Sequence, residues 1–205
     1  MHGFNPYAPP RAQLVDPRPQ RALREAGWLV SELQVLCGLA VVQMIGILVL
    51  AVLTRLPTTA GPGFNAMLAL SLLLLWGYLL LRLLRLLRDR EAVQGLEPLL
   101  AALMGSGVLL MGGFALQHSL PGTLASALLI VLRLLCAGLL GGFAVQLWRR
   151  VPRAGLQWLC GLLLGAAVLL GSQLVELPVL FLLALASTTL AHFFRDVASA
   201  LKATG

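Results

Sequence analysis

Six apolar runs fill most of this 205-residue chain, at residues 28–55, 64–87, 97–117, 123–147, 155–173 and 176–194. Each is close to or above the roughly 20 residues that a helix needs to cross the hydrocarbon core of a bilayer. Lipid offers no partner to a backbone N–H or C=O, so runs of this length must close their hydrogen bonds internally, as helices. With 59% hydrophobic and 11% charged residues and a mean hydropathy of +0.91, the chain has too little polar surface to cover a water-soluble globule. The expected fold is all-α: a polytopic integral membrane bundle of six transmembrane helices. Only "SQLVELP" parts the last two runs. Ser172, Gln173, Glu176 and Pro178 in that segment favour a turn over one continuous helix.

The charges test this division. Arg11, Arg18, Arg21 and Arg24 precede the first run; Arg82, Arg85, Arg88 and Arg90 end the second; Arg149, Arg150 and Arg153 follow the fourth; Arg195 and Lys202 follow the sixth. The intervening "PTTAGPG", "HSLPG" and "SQLVELP" carry none, and only Arg55 and Arg133 fall outside the alternation. Basic residues concentrate on the cytoplasmic side of short loops, which predicts both termini in the cytoplasm. Trp28, Trp148 and Trp158 fall at the same ends, where indole rings favour the interface. Arg82, Arg85 and Arg88 can snorkel from one side of their helix end and contact lipid headgroups, anionic ones on the cytoplasmic side. A net charge of +7 built from such clusters, without interleaved aromatics, points to lipid and topology rather than to nucleic acid.

Residues 1–27 read as a flexible cytoplasmic tail rich in proline and arginine, and residues 195–205 as a short cytoplasmic C-tail, flanking a transmembrane domain at 28–194. Within the tail, "NPYAPP" followed by a polar stretch and several spans resembles the start of many small inner-membrane proteins of gram-negative bacteria. That resemblance implies a bacterial inner (cytoplasmic) membrane location, and says nothing of activity. The tail could also serve as a short docking peptide. Cys37, Cys136 and Cys160 lie inside apolar runs with no metal-ligand spacing, and read as small packing residues.

Helices in lipid associate through small residues and a few buried polar contacts. Gly138 and Gly142 in the fourth run, and Gly161 and Gly165 in the fifth, are the expected packing positions. Spans three to five are the expected core, and the second span, leucine nearly all round, is expected to face lipid. Arg133 lies near mid-bilayer, where an unpaired charge costs about 2.5–3.5 kcal/mol on insertion scales. Glu176 is the acid expected within its reach, with Gln117 and Gln173 as further partners at an intramembrane polar site. Glu32 and Gln43 form a second polar stripe on the first helix. Arg133 could act as a structural clamp, as part of a ligand or lipid site, or at a contact with another subunit.

Chemistry is sparse. His2, His118 and His192 lie on different sides or in the tail, and the sequence has no HExxH, Walker A or dinucleotide fingerprint. The expectation is therefore no enzyme, no metal and no cofactor, but an accessory or scaffold component acting through a membrane-protein partner or as a homo-oligomer. The alternative is a small transporter, channel or lipid-binding protein built around Arg133.

Overall fold

The computed structural model describes residue 23 and residues 26–55, 62–91, 93–116, 121–151, 154–172 and 176–203. Every regular element among them is a helix: α1 (Val30–Leu53), α2 (Pro62–Glu91), α3 (Glu97–Leu116), α4 (Gly122–Arg150), α5 (Ala154–Ser172) and α6 (Glu176–Ala203). All six are long and apolar enough to cross a membrane. Each packs on the next in sequence, and α6 returns to pack along α1, closing a ring.

Three polar contacts define one end of this ring. Trp28, just before α1, donates its indole N–H to Asp89 Oδ2 near the end of α2 at 2.8 Å. Arg88 lies 3.8 Å from Glu97 at the start of α3, and Arg150 at the end of α4 donates to the Gln94 carbonyl. Arg195 and Lys202 of α6 share a cleft with Val30 and Gln34 of α1. Apart from Arg55 after the far end of α1 and Arg133 within α4, the described arginines and lysine gather at one basic end, as six antiparallel passes require.

Helix boundaries follow local chemistry. Glu97 places a carboxylate at the N-terminus of α3, where the helix dipole favours negative charge, and accepts the Gly95 N–H at 3.2 Å. Val151, the residue before Pro152, is extended at φ −125°, ψ 98°, because the proline ring disfavours helical geometry in the residue before it, and α4 stops there. Three helices outrun the apolar windows: α2 to Glu91, α4 to Arg150 and α6 to Ala203. The segment read as a tail after residue 194 is mostly helix. Its buried Val197, Ala198 and Leu201 continue from the buried Phe194 at helical spacing, so it is amphipathic rather than uniformly apolar.

The packed chain also starts earlier than the first span. Leu23 is 1% exposed, and its carbonyl accepts the Trp28 N–H at 3.0 Å. Gly27 sits between them at φ +79°. A 6→1 bond around a left-handed glycine, with both flanking apolar side chains buried, is the Schellman arrangement; it turns the chain into α1.

Packing is uneven along the helix axes. In the basic half, Leu33, Leu80, Leu83, Leu100, Phe143, Leu147, Leu163, Leu190 and Phe194 belong to one cluster drawing on all six helices. Towards the far end, a small group of Ile47, Leu72 and Ala184 ties α2 and α6 to α1, while α4 leaves Leu124, Val131 and Leu134 exposed. No helix is central in such a ring, so the expected core of spans three to five and the lipid-facing second span are not what forms. The α2 residues Leu79, Leu80, Leu83, Leu84, Leu86 and Leu87 are all buried. A helix with leucine on every side carries no inner face in its sequence, and its neighbours choose one.

Candidate functional site

At the basic end, α1 and α2 border an open cleft of about 460 Å³ lined by Ala26, Gly27, Trp28, Glu32, Arg82, Arg85, Arg88 and Asp89. The Schellman turn delivers Trp28 to its floor. There the indole is 7% exposed, unlike Trp148 and Trp158, which are exposed near the same end. The Arg82 guanidinium lies 5.7 Å from the Trp28 ring centroid and 5.6 Å from that of Tyr78, and its Nε donates to the Tyr78 hydroxyl at 3.1 Å. Two aromatic faces and a hydroxyl thus hold Arg82 in place. Arg85 and Arg88, which also line the cleft, remain exposed.

The three arginines expected at lipid headgroups are therefore brought together, and with them residues that the basic pattern alone did not single out. Tyr78, Arg82, Arg85 and Asp89 are spaced by 4, 3 and 4 residues, which places them on one helical face. That spacing is the signal that would have found Tyr78 and Asp89. Glu32 faces the same cleft from α1. Gln43, 2% exposed, donates to the Leu72 carbonyl of α2 at 3.0 Å. The Glu32–Gln43 stripe is thus the side of α1 that meets α2.

Arg133 is half-buried, with its guanidinium 5.2 Å from the Phe114 ring centroid of α3. Gln117, Gln173 and the Glu176 side chain lie outside the described residues, as does the "NPYAPP" tail. Hydroxyls in the spans largely serve their own helix: Ser106 bonds the Leu103 carbonyl, Ser187 that of Leu183 and Thr188 that of Ala184, which satisfies them in an apolar medium. One thiol crosses helices, Cys136 of α4 to Ser106 Oγ of α3 at 3.2 Å.

Among the expected packing glycines, Gly165 meets Leu182 of α6, 3.2 Å from where a Cβ would stand. Gly161 is nearly open, and Gly138 and Gly142 have nothing within 4 Å. Close approach occurs instead at Gly46 against Leu72, Gly77 against Met104, Gly107 against Leu73 and Gly113 against Leu132. Gly138 and Gly142 lie on a side of α4 that its ring neighbours leave uncovered. Among the described residues, no three His, Cys, Asp or Glu side chains group so as to hold a metal ion. No protein-family model, no curated protein and no solved structure matches the chain.

Proposed function

We propose that this integral membrane protein is a non-enzymatic accessory or scaffold subunit that acts through a protein partner in the bilayer. The observation that carries this reading is the filled interior of the basic half. There Leu80, Leu83, Phe143, Leu147, Leu163 and Phe194, all buried in one cluster, occupy the space that a solute route through a single chain would need. What the molecule offers instead is outward surface: the first half of α4, with Leu124, Val131 and Leu134 exposed, leads into the uncovered glycine side. The alternation of basic segments supports a cytoplasmic basic end, and the resemblance of the tail supports a bacterial inner membrane.

A photo-crosslinking residue placed in turn at Leu124, Val131, Leu134 and Gly138 in native membranes tests the reading. A discrete protein adduct at those positions, missing when the probe is moved to Leu80, is the expected result. Crosslinking to lipid alone at every α4 position overturns it. The stacking of Arg133 on Phe114 in the loosely packed half favours one second reading, a ligand or lipid site opening toward the far end. Under that reading Arg133→Leu abolishes flux or binding in reconstituted vesicles; under the first it leaves both unchanged.

A further inference from the structure

We propose that the cleft between α1 and α2 is a binding site for one phospholipid headgroup: Arg85 and Arg88 take the phosphodiester, and Glu32 accepts from a donor on the headgroup, an ammonium or a hydroxyl. The inference does not depend on a protein partner, and it holds whichever side of the membrane the basic end faces.

The cleft lies at headgroup depth. From Pro62, where α2 starts, to Arg82 the helix rises about 30 Å at roughly 1.5 Å per residue, which is about the thickness of the hydrocarbon core. Residues 82–89 therefore stand at headgroup level, and the cleft opens among phosphates rather than acyl chains. Its volume of about 460 Å³ falls in the range of roughly 300–1,000 Å³ usual for small-ligand sites.

Its charge fits the same ligand. Three arginines and two carboxylates line the cleft, leaving one net positive charge (three minus two), the complement of a single phosphodiester. Their engagement is unequal. Arg82 is committed to Tyr78 and Trp28, and Asp89 already accepts the Trp28 N–H. Arg88 has, among the described residues, a long 3.8 Å contact to Glu97. Among the described residues, Arg85 makes no ion pair or hydrogen bond, and Glu32 no hydrogen bond. Arg85 and Arg88 are thus the guanidiniums left for a phosphate beside a preorganised Arg82–Trp28 floor, while Glu32, whose charge interacts with that of Arg82, has carboxylate oxygens left for a hydrogen-bond donor. Phosphate oxygens suit the guanidinium fork. An ammonium or hydroxyl a few bonds from that phosphate suits Glu32. A choline headgroup supplies the phosphate and no donor, so it should bind less well.

The test uses the full-length protein, delipidated in mild detergent and titrated with phosphatidylethanolamine, phosphatidylglycerol, phosphatidylcholine or inorganic phosphate, with bound mass read by native mass spectrometry. The expected result is preferential retention of the first two lipids. Arg85→Ala with Arg88→Ala should weaken that retention about tenfold or more, since hydrogen bonds to charged groups are worth roughly 1.5–3 kcal/mol. Glu32→Gln should keep binding but erase the preference over phosphatidylcholine. Both arginines are exposed, so the thermal midpoint should hold; if it falls, the single Arg85→Gln replaces the double variant. Equal retention in wild type and variants overturns the proposal. So does displacement of lipid by inorganic phosphate at equal concentration, which would make this a site for a soluble anion.

Discussion

Trp28 differs from the other tryptophans near the basic end: its ring is buried, and its N–H is spent on Asp89 across the α1–α2 interface. Because Asp89 is exposed and water can replace the lost donor, the bond itself is worth about 1 kcal/mol, and Trp28→Phe, which also empties part of a buried site, should cost more than that. Asp89→Ala should cost about 1 kcal/mol, and the double variant less than the sum of the two singles, as expected for two partners of one bond. Additive losses in detergent thermal unfolding would mean that the bond contributes nothing of its own. Gln43 poses the opposite case. Its Nε2 donates to a helix carbonyl, while its buried Oε1 has no hydrogen-bond partner among the described residues. An unmet buried acceptor is a cost, so Gln43→Met, similar in volume, should be neutral or stabilising by up to about 1 kcal/mol. A loss above about 2 kcal/mol would reveal a buried water or ligand on that oxygen. The sequence placed Glu32 and Gln43 on one stripe of α1. It could not say that the stripe faces α2, because that depends on which helices become neighbours.

At the scale of helices, glycine separates faces that are used inside the chain from faces that are not. A Cβ at Gly113 would stand 2.9 Å from Leu132 Cδ1 and 3.2 Å from Leu129 Cδ2, so Gly113→Leu should force α3 from α4 and destabilise the isolated protein by about 1–3 kcal/mol, the usual cost of overpacking. Gly138→Leu meets open space and should leave the isolated protein as stable as wild type or slightly more so, since glycine is a poor helix former. If Gly138→Leu nevertheless abolishes the α4 crosslink in membranes, that face is the partner contact; an unchanged crosslink places the partner elsewhere. The number and approximate limits of the helices were legible because hydropathy and the arginine alternation are long-range regular signals. Inner faces were not. In α2, leucine surrounds the helix and burial is decided by α1 and α3; in α6, the final turns continue amphipathically after hydropathy has fallen away.

Across the whole molecule, the ring is consolidated at its basic end and looser beyond the level of Gln43. There Val179, with the half-buried Leu169, Leu170 and Leu182, still belongs to the main cluster, and Ile47, Leu72 and Ala184, the glycine contacts and the Arg133–Phe114 stacking add to it. Exposed apolar side chains run along the whole particle, from Leu29, Val35 and Trp158 near the basic end to Leu124, Val131 and Leu134 beyond it, and the proposed neighbour would cover the α4 part of a surface that otherwise meets lipid. The headgroup cleft was half legible: its arginines stood out in sequence, but its tryptophan floor and its carboxylates come from a turn and a helix pairing that only the folded chain assembles. The proposed neighbour can be weighed by native mass spectrometry of the tagged protein, purified from its own membranes in mild detergent. A particle containing a second, different chain in fixed stoichiometry is the expected result. A stable particle holding this chain alone, as monomer or homo-oligomer, would contradict it.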